Sequence, residues 1–186
     1  MPDFFVTPCG KANCNHNPPT IVCKSVTNSN TFGICDDPPP STNPAYIQHH
    51  NQNDWIAEVN NPLGYEVTFK AVDNCVEILR PNGDLESRCD GFLHYNNDTL
   101  VFIELKDRDS SGWLSKGREQ LTITIEKFSE NHNVNNYILN EAYVCNKQRP
   151  FAITGINTEV QKFKDDTANI LNNSGLLLKA DRNINL

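Results

Sequence analysis

The segment Thr99-Leu-Val-Phe-Ile-Glu-Leu-Lys106 constrains this chain more than any other stretch. Its apolar run, rich in Val, Ile and Phe, reads as a β-strand that should be buried. Residues two apart in a strand point to the same face. Phe102, Glu104 and Lys106 therefore share one face, and Val101, Ile103 and Leu105 share the other. The second face is core-like throughout. The first begins apolar and turns charged at its C-terminal end. Burying an ionised carboxylate or ammonium without partners is strongly unfavourable, so the charged end must open to solvent, a ligand or a metal.

The preceding segment supplies a third charged group. Arg88 to Tyr95 reads as a strand, and Asn96-Asn97-Asp98 as the turn of a hairpin. Asp90 lies as far before Asn97 as Glu104 lies after it, so the antiparallel register sets them opposite one another. Two converging carboxylates make an oxygen site for a hard divalent cation such as magnesium. Such a cation lowers the pKa of its water and stabilises charge on a phosphoryl oxygen. Lys106, beside it, is placed to position the nucleophile or to neutralise developing charge.

The surrounding segments give the frame. Residues 1–43 read as an irregular cap, broken by Pro18-Pro19 and by Asp36-Asp37-Pro38-Pro39-Pro40, with a hairpin between Thr20–Cys23 and Thr31–Cys35. Residues 44–186 read as the main domain. A helix is expected within 44–61, with Asp54 as its cap before Trp55-Ile-Ala-Glu-Val59. Strands follow at Tyr65–Val72 and Cys75–Leu79, then the hairpin. A helix capped by Ser110 or Ser111 runs from Trp113 to about Ser129. It carries Leu114, Leu121, Ile125 and Phe128 at helical spacing. A strand at Tyr137–Cys145, a helix at Lys162–Asn172 and a short strand at Gly175–Lys179 complete the chain. A run of antiparallel strands followed by helix-crossover strands is a mixed α/β sheet.

Asp90, a hairpin, and then Glu104-Leu105-Lys106 resemble the PD-(D/E)xK nuclease superfamily, the restriction-endonuclease-like fold. The family's core order, α-β-β-β-α-β, has the shape of the order read from about Trp55 to Cys145. Cys89 stands where the family's leading proline would be. Many members carry a glutamine on the helix after the motif strand, and Gln120 occupies that place. Gly117, Gln120 and Thr124 share a stripe on that helix, and Gly117 would let it approach the sheet closely. The resemblance implies that Asp90 and Glu104 hold Mg2+ or Mn2+, with the backbone carbonyl of Leu105 as a further ligand. It implies that Lys106 orients the attacking water and that Gln120 steadies the site. Some members add an acid from the first core helix, for which Glu58 is the candidate. The implied activity is metal-dependent phosphodiester hydrolysis of nucleic acid, DNA first, by an endonuclease. A homodimer is expected if both strands of a duplex are cut.

Composition sets limits on that expectation. The net charge of −7 gives little non-specific affinity for phosphate. It favours an alternative, a non-catalytic module of the same fold within a defence or repair complex. The N-terminus lacks the basic and apolar regions of a signal peptide, and no apolar run is long enough to span a membrane. The expected setting is the cytosol, without membrane contact. The seven cysteines are odd in number, which argues against a disulfide framework and for buried free thiols. Cys9, Cys14, Cys23 and Cys35, with His16, leave open a zinc-stabilised binding protein, although no close Cys-x2-Cys pair supports it.

Other residues read more plainly. His94 is a partly exposed strand histidine and His49-His50 lie on the surface. Trp113 anchors a helix start, with base stacking as its second reading. Lys116, Arg118 and Lys127 form a solvated helix face, with phosphate contact as theirs. No Ser–His–Asp order, phosphate-cradling glycine loop or nucleotide motif is present.

Overall fold

The computed structural model describes residues 3–5, 23–149 and 155–186. The chain is mixed α/β, with two sheets and two α-helices among the described residues. β1 (Lys24–Thr27), β5 (Val67–Ala71), β6 (Gly91–Tyr95), β7 (Thr99–Lys106), β8 (Ile138–Asn146) and β9 (Leu177–Lys179) form a six-stranded sheet in the order β1-β5-β6-β7-β8-β9. β10 (Asn183–Asn185), β4 (Ala57–Asn60), β2 (Thr31–Cys35) and β3 (Tyr46–Gln48) form a four-stranded sheet in that order.

β5, β6 and β7 run antiparallel, whereas β7, β8 and β9 run parallel. Helix α1 (Trp113–Asn131) connects β7 to β8, and α2 (Ile156–Leu171) lies between β8 and β9. Parallel neighbours need such crossovers.

Strand alternation divides the core. Phe92, Leu100, Phe102, Ala142 and Val144 face the helices and pack with Leu121, Ile125, Phe128 and Phe163. Leu93, Val101, Ile103, Leu105, Tyr143 and Cys145 face the four-stranded sheet and pack with Phe32, Ile34, Ala57, Val59 and Ile184. The six-stranded sheet is thus covered on both sides, which explains why β7 reads as a continuous apolar run.

Several sequence expectations are corrected. Residues 24–35 are integral to both sheets and do not form an irregular cap. The first arm of the expected hairpin, Thr20–Cys23, lies outside the described residues up to its last residue; β1, which follows it, lies against β5, while β2 pairs with β3 and β4. The helix expected within 44–61 is replaced by β3, a 3-10 turn at Gln52–Asp54 and β4. Cys75–Leu79 is not a strand, because the chain turns there, with Cys75 N–H donating to the Val72 carbonyl at 3.1 Å. Gly112 at φ 79°, rather than a serine, precedes α1.

Cys23 and Cys75 form a disulfide, contrary to the expectation of free thiols. The bond ties the residue before β1 to the turn after β5. It removes Cys23 from the zinc set considered above. Cys35, Cys89 and Cys145 are buried free thiols, while Cys9, Cys14 and His16 lie outside the described residues. No helix among the described residues is long and apolar enough to cross a membrane.

Candidate active site

The β6–β7 hairpin sets the site's geometry. Asn96 and Asn97 adopt positive φ, 48° and 68°, which asparagine tolerates better than most residues. The turn pairs Tyr95 with Thr99, Phe92 with Phe102 and Gly91 with Ile103. One step further, Asp90 faces Glu104 on the helix side of the sheet. This is where β7 and β8 reach their carboxyl ends, the usual place for a ligand in an α/β sheet.

Glu104 and Lys106 are buried, 1% and 7% exposed, and form an ion pair through Glu104 Oε1. Lys106 Nζ also donates to Gln120 Oε1 at 2.8 Å. Gln120 Nε2 donates to the Arg88 carbonyl at 2.9 Å. Its amide orientation follows from chemistry, since an ammonium only donates and a carbonyl only accepts. Asp90 Oδ2 accepts from the Leu105 N–H at 2.6 Å. Gly117 provides the helix's close approach: a Cβ there would lie 2.6 Å from Val144 Cγ1 and 3.3 Å from Glu104 Cγ.

The structure thus brings Asp90, Glu104, Lys106 and Gln120 together. Glu58 stands apart. It lies on β4, opposite Gly33 of β2, and shares the outer face of the four-stranded sheet with the Trp55 ring. The helix expected to carry it does not form, so Glu58 is withdrawn from the site. Arg118 is not on a solvated face either. It is 3% exposed and binds Glu159 at 2.7 Å and Asp166 at 3.1 Å, clamping α1 to α2. Lys127 pairs with Glu130 at 2.9 Å. Trp113 is buried in the core, and His94 Nε2 lies 2.8 Å from the Asn97 carbonyl in the turn.

Sequence reasoning missed three contributors. Asp36 follows β2, and its charge acts on Asp90 and Lys106. Asp73, in the turn after β5, has Oδ1 2.9 Å from Arg88 Nε. Neither residue carries a pattern that marks it, because each reaches the site from a loop remote in sequence. Asn146, opposite Lys106 on β8, is 1% exposed. It donates to the Arg108 carbonyl at 2.9 Å and so fixes the chain leaving β7.

The electrostatics favour protons or a cation. Burial pushes the Glu104 carboxyl up to about 7, although the Lys106 ammonium pulls it down. Burial, then the Glu104 and Asp36 charges, hold Asp90 well above the usual carboxylate range. Asp36 is raised to about 6 by burial and by Asp73 and Asp37. Closely set carboxylates resist joint ionisation unless a positive charge joins them.

Glu104 Oε2 is buried without a hydrogen-bond partner among the described residues. An acceptor left so is costly, and a cation would satisfy it. Among the described residues, no group of three or more His, Cys, Asp or Glu gathers to hold a metal ion. Magnesium does not need one: it binds through one or two carboxylates and keeps several waters. Asp90 and Glu104 fit that pattern. The Leu105 carbonyl points to the same side of its strand as the N–H that meets Asp90. No family model, curated protein or solved structure matches this chain.

Proposed function

We propose that this protein is a divalent-metal-dependent phosphodiesterase of the PD-(D/E)xK type, acting on nucleic acid, with DNA as the first substrate to test. The observation that carries the reading is the opposition of Asp90 and Glu104 beside a Lys106 held by Gln120. The β5-β6-β7 meander, α1 and the parallel β8 also match the last five elements of the family's core order. The leading helix of that order has no counterpart within 44–61.

Asp90, Glu104 and the Leu105 carbonyl would hold Mg2+ or Mn2+. The metal would supply an acidified water and charge neutralisation at a phosphoryl oxygen. Lys106 directs protons to Glu104 and Gln120, which leaves one to donate to a phosphate oxygen or a water. Gln120 fixes that ammonium by anchoring it to the Arg88 carbonyl. Glu104, raised to about 7, holds or releases a proton near neutral pH.

A second reading keeps the fold without the activity. The burial of the Glu104–Lys106 pair and the net charge of −7 favour it. The cytosolic setting belongs to the proposal as well. Reducing compartments keep most thiols free, so a thiol count on protein taken directly from cells tests it against the Cys23–Cys75 bond.

The deciding experiment is incubation with linear and circular DNA and with RNA, in Mg2+ or Mn2+, beside Glu104→Gln. Metal-dependent cleavage lost in the variant supports the phosphodiesterase. Cleavage equal in both points to a contaminant, and no cleavage by either leaves the non-catalytic module.

A further inference from the structure

Asp90 sits just outside the regular ladder, whose pairing begins at Gly91. Backbone groups released from a ladder must find other partners when buried. Here three of them have specific ones. The Arg88 carbonyl accepts from Gln120 Nε2 at 2.9 Å. The Cys89 N–H donates to Thr124 Oγ1 at 2.8 Å. The Asp90 carbonyl accepts from the Val72 N–H at 2.8 Å.

Thr124 is a mid-helix threonine, a residue type that α-helices accept reluctantly. Its hydroxyl donates to the Gln120 carbonyl one turn earlier at 2.8 Å. A hydroxyl has one proton and two lone pairs. That bond uses the proton and leaves the oxygen aimed at the Cys89 amide. Thr124 and Cys89 are both 0% exposed, so no solvent stands ready to replace the contact. The peptide it holds is the one between Arg88 and Cys89, whose carbonyl Gln120 Nε2 holds from its other end, one residue before Asp90. Among the described residues, the Thr124 hydroxyl bonds to the Cys89 N–H and the Gln120 carbonyl, and not to Glu104 or Lys106.

We propose that Thr124 is a positioning residue: its hydroxyl fixes the Arg88–Cys89 peptide and, through Cys89, keeps the Asp90 carboxyl opposite Glu104, against the Leu105 amide. The positioning claim concerns the fold itself; its consequence for metal affinity rests on the phosphodiesterase reading.

The test uses the full chain as wild type, Thr124→Val and Thr124→Ser. The first readout needs no metal. Because Leu105 N–H donates to Asp90 Oδ2, its amide resonance and hydrogen-exchange rate report where Asp90 sits. In Thr124→Val the Leu105 amide should shift and exchange about tenfold faster or more, the scale of one buried hydrogen bond lost. Amides of β8 serve as the internal reference and should not change. Thr124→Ser, which keeps the hydroxyl, should restore the wild-type Leu105 signal. The second readout is Mn2+ titration, in which Thr124→Val should bind about tenfold more weakly and Thr124→Ser like wild type.

A folded Thr124→Val with an unchanged Leu105 amide overturns the proposal, whatever the metal does. So does a loss that Thr124→Ser fails to restore, since packing and not the hydroxyl would then be responsible. If wild type binds no Mn2+, the metal reading fails, while the Leu105 amide still decides the role of Thr124. Should Thr124→Val not fold, the smaller Thr124→Ala is read in the same way.

Discussion

Gly117 stands against Val144 with no room for a β-carbon: an added Cβ would lie 2.6 Å from Val144 Cγ1. Alanine is intrinsically better in a helix by about 1 kcal/mol. Here the clash outweighs that gain. Val144 is β-branched, fully buried and fixed in the central sheet, so it has little freedom to turn away. Relief requires α1 to lift, and α1 carries Gln120 and Thr124. Gly117→Ala should lower stability by about 1–3 kcal/mol, the usual range for overpacking. Denaturant melts with an unchanged slope would measure it. A stabilised variant would show that α1 is less tightly seated than the contact implies.

The raised carboxylates make stability depend on pH. Glu104 goes from 4.5 to about 7 and Asp36 from 3.8 to about 6, and Asp90 moves the same way. Between its unfolded and folded pKa values, each group binds more protons folded than unfolded. Stability therefore falls as pH rises through this window. Their contribution is fully present below about pH 4 and lost by about pH 7. Glu104→Gln should flatten the part due to Glu104. At pH 8, Mg2+ or Mn2+ should raise the wild-type melting temperature by binding the ionised pair, and should do so less in Glu104→Gln. Melting curves across this range, with and without metal, give the answer. Identical pH slopes for the two proteins would mean that Glu104 does not titrate in the folded state.

The disulfide should matter both to stability and to the site. Cys23 and Cys75 are separated by 52 residues, and closing a loop of that size stabilises a fold by about 4 kcal/mol. The turn that Cys75 anchors also holds Asp90, through the 2.8 Å bond from the Val72 N–H to the Asp90 carbonyl. The double variant Cys23→Ser/Cys75→Ser should melt on the order of 10 °C below wild type. A dithiol reductant should move wild type toward the variant and leave the variant unchanged. Coincident melts for reduced and oxidised wild type would show that the bond constrains nothing that unfolding releases.

What the sequence made legible was local. The β6–β7 hairpin follows from Asn96-Asn97 between apolar runs, and its symmetry alone sets Asp90 opposite Glu104. The Gly117, Gln120 and Thr124 stripe follows from helical period. Residues 44–61 failed because Trp55-Ile-Ala-Glu-Val59 is too short to declare a period. Its strand character comes from long-range pairing of β4 with β2 and β10. Ala57 and Val59 then face the core while Glu58 faces out. The Cys23–Cys75 bond was hidden because seven cysteines cannot all pair, and spacing does not say which ones the fold brings close. Asp36 and Asp73 were hidden for a related reason: each enters from a loop whose position only the assembled sheets define.

Chemistry separates the roles of Lys106 and Glu104. Lys106→Met keeps the reach of the side chain and removes its charge. It leaves both carboxylates in place and takes a positive charge away from the site, so divalent metal should bind at least as well as in wild type. Cleavage should nevertheless fall, because the donor to the attacking water or phosphate oxygen is gone. Removing one such electrostatic contact costs about 10²–10³ in rate. Glu104→Gln should act through the metal. One anionic ligand becomes neutral, affinity drops, and raising the metal concentration should recover part of the activity. That recovery should be absent in Lys106→Met. The measurements are initial cleavage rates across a metal titration, with isothermal titration of Mn2+ and thermal melts on the same samples. Both variants preserve side-chain volume, so large losses of melting temperature are not expected from packing. If both unfold at much lower temperature and neither changes metal binding, the buried Glu104–Lys106–Gln120 linkage is a structural ion cluster. The non-catalytic module then becomes the better account of this protein.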